Sequence, residues 1–449
     1  MSTIEKHDMT QGKILLPLVS FTIPLVLGNL FQLTYNAADS VIVGKYVGEQ
    51  ALAAVGTSTP IMNIAILLIS GMCMGASVLM SSQYGAKDYD TLSRQISTTM
   101  LAGCGFSVVL SLLMLLLANP VLRLIRVPET AIPEAAAYLR IIFMGLIFTF
   151  MYNFLANTMR ALGDSKTPLY FLVTSAFLNI FGDLFFVVVL RWGVAGSAIA
   201  TVCSEGLCCL LCGIYIKKKI PLLCLGKKWW VFDKSLLGKT VSYGSTSAMQ
   251  QVCLQLGKLI IQSVVNTQGV AVMAAFTAVN RVDDFAYTPQ QNIGHAMTTF
   301  LAQNKGAGHK ERMKKGFQTG LLIELVYSIG LFCVIWGLAP QIMTLFAEDG
   351  DAQVVSLGIS YLHLISWMYI LPGLTNGVQG FFRGIGDLKV TLYSTFMNMF
   401  GRVVAVFVMI RLLQMEFASL AWANMVGWIV MLLFEVPLLV KSMRNGECG

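Results

Sequence analysis

The chain has 449 residues, of which 12% are charged and 56% are hydrophobic, and its mean hydropathy is +0.71. A soluble domain carries about 25% charged residues. This composition excludes a soluble enzyme, a disordered chain and a nucleic-acid-binding protein, so the net charge of +8 is not a nucleic-acid signal. We interpret the ten cysteines, which are scattered through apolar runs, as packing residues rather than metal ligands.

Twelve apolar segments follow a polar start of 13 residues that contains no signal peptide. Each is long enough to cross a membrane, which takes about 20 residues. They lie near 14–43, 51–82, 95–120, 132–159, 167–190, 193–216, 238–267, 270–302, 316–346, 354–381, 388–411 and 417–440. The short polar gaps leave no room for a catalytic domain, and no Walker A sequence occurs. The sequence therefore predicts an all-α integral membrane protein that is not an enzyme.

The basic residues are distributed unequally between the two ends of these segments. With the N-terminus inside, 22 of the 31 Lys and Arg residues fall on the cytoplasmic side, six fall outside and three lie within spans. The positive-inside rule then places both termini in the cytoplasm. This asymmetry also explains the net positive charge, which lies against the cytoplasmic leaflet.

The chain repeats itself at about half its length. RALGDSKTPLY at 160–170 resembles RGIGDLKVTLY at 383–393, and FLNIFGD at 177–183 resembles FMNMFGR at 396–402. Two halves of six spans enter the membrane in the same direction, so we expect two six-helix repeats around a central cleft, as in secondary transporters. The predicted division is an N-terminal lobe at 1–216, a basic cytoplasmic linker at 217–237 and a C-terminal lobe at 238–449.

Polar residues of the first span share one helical face. These residues, at positions i, i+3, i+4 and i+7, are Gln32, Tyr35, Asn36 and Asp39. A charged side chain at the bilayer centre costs about 2.5–3.5 kcal/mol on insertion scales, so this face must meet protein or water.

Further polar residues lie at a similar depth on other spans. Asp39 is six residues before Lys45, Asp183 is eight before Arg191, and Thr201 is ten after Arg191. At about 1.5 Å per residue, these side chains and Asn179 can converge in the outer part of the N-terminal half. Two carboxylates with amide and hydroxyl oxygens could hold Na⁺ or share protons. The alternative is that these residues form structural hydrogen bonds only. For Glu205, which lies on the same face as Thr201, the sequence does not choose between ion binding and a structural role.

The two GD motifs, the pair QYGAK and AQNKGAG, and Asp39 on a helix that contains Pro24 resemble the multidrug and toxic compound extrusion (MATE) family of transporters. The acidic residues in the N-terminal half resemble its DinF-like bacterial branch. The resemblance covers nearly the whole chain. It implies export of small organic, often cationic compounds in exchange for H⁺ or Na⁺ by alternating access.

The resemblance also implies positions for the coupling cation. It places the cation at the first-helix Asp39, at Asn179 and Asp183 of helix five, and at Thr201 of helix six, with Asn153 or Asn157 as a further candidate. Any Na⁺ would be held by the first four of these residues. No other cofactor or metal is expected.

The C-terminal half carries bases where the N-terminal half carries acids. At an offset of 219, Asp39 maps to Lys258 and Asp183 maps to Arg402, while Gln251 and Gln255 take the places of Gln32 and Asn36. We expect the first half to handle cations and the two bases to tune substrate choice, either by contacting an anionic substrate group or by neutralising Asp283 and Asp284. The alternative is that they form internal ion pairs without touching substrate. The predicted substrate cleft contains Gln32, Tyr35, Asn36, Gln251, Gln255, Lys258, Asp283, Asp284 and Arg402.

Pro24 interrupts the helix that carries Asp39. Proline removes a backbone hydrogen bond and permits a bend, so we predict a hinge there, with a static kink as the alternative.

The resulting interpretation is an efflux antiporter in the bacterial cytoplasmic membrane. Its expected partners are small organic substrates and membrane lipid, with no nucleic acid, and it is expected to act as a monomer. A lipid-linked saccharide flippase of the same superfamily is one alternative, since Lys258 and Arg402 suit a pyrophosphate headgroup. A non-transporting membrane sensor or scaffold is the other.

Overall fold

The computed structural model describes residues 8–125, 127–220, 230–346, 352–413, 417 and 419–444. Over these ranges the chain is helical, with no strand. The α-helices are α1 (Leu15–Tyr46), α2 (Glu49–Gly85), α3 (Tyr89–Leu124), α4 (Ile132–Met144), α5 (Leu146–Ala161), α6 (Lys166–Asp183), α7 (Gly193–Lys219), α8 (Lys234–Val265), α9 (Val270–Gly306), α10 (Lys310–Phe346), α11 (Ala352–Ser366), α12 (Ile370–Gly384), α13 (Leu388–Phe407) and α14 (Ser419–Arg444). The expected all-α membrane fold is confirmed.

Nine helices within the described ranges are long and apolar enough to cross a membrane, and α4 and α5, which meet at a bend of 47°, make a tenth when taken as one span. Helices α8 and α9 have 32 and 37 residues, so they are long enough to span. They fall short in apolar character because they carry Lys258, Arg281, Asp283 and Asp284. Each of the twelve predicted segments overlaps one of these helices or helix pairs.

Short turns of different pitch interrupt the helices at related places. A π-helical turn at Leu184–Val189 follows α6, and another at Val408–Leu412 follows α13. A 3₁₀ turn at Trp367–Tyr369 joins α11 to α12. Such turns often mark functional positions in helices.

The backbone conformation explains why glycine occurs in both copies of the GD motif. Gly163 and Gly386 have φ angles of 90° and 84°, a left-handed conformation that glycine adopts without strain. In the first copy, Asp164 then accepts hydrogen bonds from the backbone N–H groups of Lys166 (3.1 Å) and Thr167 (3.0 Å), which satisfies the start of α6.

The helices form two compact units. The first contains Ile23–Ala248 and has a core of side chains from α2, α3, α4, α5 and α7. The chain that leads into α8 is held in this unit, because Val231 and Asp233 donate backbone hydrogen bonds to Ser97 (3.0 Å) and Thr98 (3.1 Å). Asp233 also pairs with Arg94.

Helix α2 and the first part of α8 pack backbone to backbone within this unit. A side chain on Gly71 would lie 2.5 Å from the Cα of Ala248, and one on Gly75 would lie 2.4 Å from the carbonyl of Tyr243. Gly71 and Gly75 are four residues apart, as in the small-residue motif that brings membrane helices together.

The second unit contains Met249–Gly449 together with Met9–Thr22 from the start of the chain. Met9 donates to Gln303 (3.1 Å) and accepts from Asn304 (3.2 Å). Arg312 also donates to the carbonyls of Met9, Gln11 and Gly12. The division between the units crosses α1 between Thr22 and Ile23, one residue before Pro24.

Candidate functional site

In the first unit, α1, α6 and α7 bring two carboxylates together. The hydroxyl of Ser197 donates to Oδ1 of Asp39 over 2.6 Å. Asp183, the last residue of α6, is 0% exposed and lies near enough to Asp39 for their charges to interact. Gly182 permits this approach, since a side chain there would lie 2.9 Å from Cβ of Ala200 on α7.

Asn179 lies one turn before Asp183 on α6 and bonds to Thr201 on α7. Its amide nitrogen donates to the Thr201 hydroxyl over 3.2 Å, and that hydroxyl donates to the carbonyl of Ser197 over 3.2 Å. The predicted residues Asp39, Asp183, Asn179 and Thr201 therefore lie in one cluster.

Three buried acceptor atoms of this cluster have no hydrogen-bond donor. They are both carboxylate oxygens of Asp183 and the amide oxygen of Asn179. Buried polar atoms in proteins are nearly always paired, so a proton, a cation or an ordered water completes such a group. The residues fit Na⁺, which takes oxygen ligands, and they equally fit a proton shared between carboxylates.

A third carboxylate lies in the same unit. Glu205 accepts a hydrogen bond of 2.5 Å from the hydroxyl of Thr149 on α5 and lies close enough to Tyr35 for electrostatic interaction. Tyr138 lies near Asp39, Asp183, Tyr35 and Glu205 alike. The carboxylate of Glu205 is thus part of the polar interior that contains the Asp39 cluster.

The two asparagines of α5 make local hydrogen bonds. The side-chain amide of Asn153 donates to the carbonyl of Thr149 (2.8 Å), and that of Asn157 donates to the carbonyl of Asn153 (2.9 Å). Neither of these bonds reaches Asp39 or Asp183. Whether Asn153 or Asn157 joins the cation site stays a prediction.

The remaining residues of the α1 face lie at the surface of the unit. Gln32 and Asn36 are exposed, while Tyr35 is half-buried and bonds to Gln32. These side chains are accessible to a ligand.

In the second unit, Lys258 of α8 pairs with Asp284 of α9. Their Nζ and Oδ1 atoms are 3.4 Å apart, and both side chains are about half exposed, at 55% and 54%. Neutralisation of Asp284 by Lys258 is one of the options that the sequence left open. The neighbouring Gln251 and Gln255 are half-buried on α8.

Asp283, next in the chain, lies in a different environment. It is buried and accepts hydrogen bonds from the hydroxyls of Tyr361 (3.1 Å) and Tyr369 (2.5 Å). Arg402 interacts with its charge, although the Nε of Arg402 has no hydrogen-bond partner. Arg402 therefore offers a donor to a further group.

Sequence reasoning did not find the tyrosines that bind Asp283. Tyr361 and Tyr369 are eight residues apart, and the 3₁₀ turn at Trp367–Tyr369 breaks the helical spacing between them. The direct bond from Ser197 to Asp39 was also not predicted, although Ser197 shares a helical face with Thr201.

Known proteins share the sequence pattern and the fold of this chain. The chain is 32% identical over 392 residues to the probable multidrug resistance protein YpnP of Bacillus subtilis (strain 168), covering 87% of this chain and 86% of that one. It is 29% identical to the probable multidrug resistance protein YoeA of the same strain, with 85% and 82% covered. A structure described as the outward-facing conformation of a multidrug resistance MATE family transporter of the MOP superfamily superimposes with a TM-score of 0.91 at 22% identity, covering 100% of this chain and 99% of that one.

The model of the MatE family matches residues 24–185 and 247–409, one block in each half of the chain. The first block contains Asp39, Asn179 and Asp183, and the second contains Lys258 and Arg402. The sequence motifs, the all-helical fold and these matches together establish that this chain belongs to the MatE family of membrane transporters.

Proposed function

We propose that this protein is a secondary active exporter that exchanges small organic, often cationic compounds for H⁺ or Na⁺ by alternating access. The observation that carries the proposal is the pair Asp39 and Asp183, in which both buried oxygens of Asp183, like the neighbouring amide oxygen of Asn179, have no donor. The family match and the relatives named as probable multidrug resistance proteins support the substrate class.

The pair gives a reason for ion coupling. Two carboxylates at close range repel each other, so the ionised pair favours the binding of a proton or Na⁺ from the outside. Ser197 holds the carboxylate of Asp39 through its hydrogen bond. Asn179 and Thr201 connect α6 to α7 beside it, through the bond from Asn179 to Thr201 and the bond from Thr201 to the carbonyl of Ser197. Filling the site removes the repulsion and lets the helices around it close.

Pro24 is the proposed bending point for this response. It lies in the same helix as Asp39, and its ring nitrogen cannot bond to the carbonyl of Ser20. A change of charge at Asp39 is then expected to bend α1 at Pro24.

The ion gradient limits what the exporter can achieve. One pH unit supplies about 1.4 kcal/mol and 100 mV about 2.3 kcal/mol per charge, which together allow roughly 500-fold accumulation of a neutral substrate. Exchange of one proton for one monovalent cation cancels the electrical contribution and leaves only about tenfold. Export of cationic compounds against a larger gradient then requires more than one coupling ion.

The proposed substrate-binding residues are polar side chains of each unit, all of them exposed or half-buried except Asp283, which is buried. In the first unit they are Gln32, Tyr35 and Asn36, and in the second they are Gln251, Gln255, Lys258, Asp283, Asp284 and Arg402. We place the protein as a monomer in the bacterial cytoplasmic membrane.

The test is transport by purified protein in liposomes. The liposomes carry a fluorescent organic cation and receive either a pH gradient or a Na⁺ gradient. We expect flux under one of the gradients, and we expect Asp39→Asn to abolish it. Asp90→Asn is the matched control, because the Asp90 side chain is 81% exposed and lies outside the cluster.

The gradient that drives flux identifies the coupling ion. Equal flux in Asp39→Asn and in the parent protein would remove Asp39 from the mechanism. Absence of flux in the parent under both gradients would contradict export of organic cations and favour the lipid-linked saccharide flippase, for which Lys258 and the unpartnered Nε of Arg402 supply positive charge.

A further inference from the structure

Arg312 of α10 fastens the beginning of the chain to the second unit. Its guanidinium donates to the carbonyl oxygens of Met9 (3.1 and 3.2 Å), Gln11 (2.8 Å) and Gly12 (2.7 Å). The same group lies 5.3 Å from the ring centre of Phe300. Because these bonds engage four of the five N–H groups of an arginine, Arg312 positions the chain rather than binding a ligand.

Exposed lysines surround this contact. We call the surface that they form the basic end of the second unit, and its members are Lys13, Lys310, Lys314 and Lys315. Lys13 directly follows the residues held by Arg312, whereas the other three lie in the first two turns of α10. Stretches 9–13 and 310–315 contain one acidic residue, Glu311, which pairs with Lys315 over 3.8 Å. The basic end therefore carries an excess of positive charge.

The basic end lies at the depth of lipid headgroups. The apolar part of α1 begins at 14 and that of α10 begins near 316, each just after a lysine of the basic end. Leu15 and Leu16 are 55% and 68% exposed, as expected for apolar side chains that face lipid. Lysine side chains at the end of a span extend toward the interface, where the lipid phosphates lie.

The first unit has a related contact with a different charge balance. Arg94 of α3, 218 residues before Arg312, pairs with the carboxylates of Asp233 and, over 4.0 Å, of Asp90. The charge of Arg94 is thus balanced by acidic side chains. Arg312 bonds instead to neutral carbonyl groups, so its own charge adds to that of the basic end.

We propose that the basic end is a binding surface for anionic phospholipid headgroups, and that Arg312 positions Lys13 in it. Lysines beside a membrane span attract anionic lipid, with about fivefold in affinity for each lysine. Within the described ranges, neither Lys13 nor Lys314 has an ion-pair partner, so both are available to a phosphate. The exposed Leu15 and Leu16 contact the acyl chains of the same lipids.

The experiment measures lipid binding to the purified full chain in detergent by native mass spectrometry. The probes are phosphatidylglycerol, which is anionic, and phosphatidylcholine with the same acyl chains, which has no net charge. The test variant combines Lys13→Gln with Lys314→Gln. The control variant combines Lys234→Gln with Lys239→Gln, which removes the same charge from two exposed lysines at the start of α8. Neither a gradient nor an organic substrate is needed, so the result is independent of the proposed export.

We expect the parent protein to prefer phosphatidylglycerol. The variant without Lys13 and Lys314 should lose about 25-fold in affinity for that lipid and keep its affinity for phosphatidylcholine, whereas the control should lose less than about fivefold. Equal binding of the two lipids by the parent would overturn the proposal. An equal loss in the two lysine pairs would also overturn it, because the attraction would then follow net charge alone.

The role of Arg312 has its own test. Arg312→Lys keeps the positive charge but cannot bond to three carbonyl groups at once. We expect about fivefold weaker binding of phosphatidylglycerol because Lys13 is released, with binding of phosphatidylcholine unchanged. Unchanged binding of phosphatidylglycerol would contradict the positioning role.

A competition experiment separates a lipid from a free phosphate. Glycerol 3-phosphate carries the headgroup phosphate without acyl chains, and we expect an excess of it to leave phosphatidylglycerol bound. Displacement of the lipid would mean that the basic end recognises a free phosphate, and the assignment to lipid would be wrong.

Discussion

A buried carboxylate that accepts no hydrogen bond is costly to keep, and Asp183 is such a residue. An unpaired buried acceptor costs about 1–3 kcal/mol, and a charged one costs more. The position of Asp183 therefore lowers stability, which is consistent with the ion-binding role that we propose for it. This is the kind of local inconsistency that is expected at functional sites rather than in structural cores.

Replacing Asp183 should separate stability from function. Asp183→Asn removes a buried charge without a donor and its repulsion with Asp39, so we expect the free energy of unfolding to rise by about 1–3 kcal/mol. Thermal unfolding of the purified protein in Na⁺-free buffer measures this change, and gradient-driven flux should be lost in the same variant. A lower unfolding temperature than that of the parent would contradict this interpretation of Asp183.

Lys258 and Asp284 provide a test of substrate choice. Their ion pair is half exposed, so breaking it should change stability by only about 0–1 kcal/mol. We expect Lys258→Ala to reduce transport of compounds that carry a carboxylate more than transport of purely cationic ones. Asp284→Ala, which removes the pair but keeps the lysine, is the control. An equal change for both substrate types would leave Lys258 with a structural role.

The residues of the Asp39 cluster could be selected from the sequence because helical spacing and distance from the loops are both readable there. The detailed contacts between these residues could not be predicted. Which hydroxyl reaches Asp39 depends on how α7 is rotated against α1, and the answer, Ser197, is a packing result.

At the scale of the helices, small residues determine how closely two elements approach. Gly71 and Gly75 let α2 meet the backbone of α8 around Tyr243 and Ala248. Without a hydrophobic driving force in lipid, such close packing is a main source of helix association. The interface is therefore sensitive to a single added methyl group.

Gly75→Ala should weaken this interface, and Gly56→Ala on the same helix should not. A methyl group at Gly75 would lie 2.4 Å from the carbonyl of Tyr243, whereas nothing lies within 4 Å at Gly56. We expect Gly75→Ala to cost about 1–3 kcal/mol and Gly56→Ala to stabilise by up to about 1 kcal/mol. Denaturant unfolding in mixed micelles gives both values, and changes of the same sign would contradict the packing argument.

The apolar runs predicted where the helices lie, but not how they are interrupted. The bend of 47° between α4 and α5 and the π-helical turns after α6 and α13 have no distinct signature in hydropathy. They depend on which neighbours each helix packs against, and that information is spread over the whole chain.

At the scale of the whole molecule, the internal repeat is visible in both sequence and backbone. Gly48 and Gly269 precede the second helix of each half with φ angles of 118° and 103°, and Gly163 and Gly386 repeat in the GD motifs. The two-repeat organisation could be predicted because duplicated turns retain the residues that their backbone angles demand.

The charge bias predicts the orientation of the molecule in the membrane. Since 22 basic residues lie on one side and six on the other, we expect the C-terminus in the cytoplasm. A green fluorescent protein fused after Gly449 should fluoresce, and alkaline phosphatase fused there should be inactive. Active phosphatase with no fluorescence would reverse the orientation and place the Asp39 cluster nearer to the cytoplasm.

The assignment of Met9–Thr22 to the second unit bears on how the duplicated chain arose. The first unit in turn holds the residues that lead into α8, so each half contributes the beginning of its first helix to the other. A single-copy ancestor built this way would have been a homodimer whose subunits exchanged their N-terminal arms. Fusion of two such copies would turn that exchange into an intramolecular one. Neither half cut out at the central linker would be a complete folding unit today.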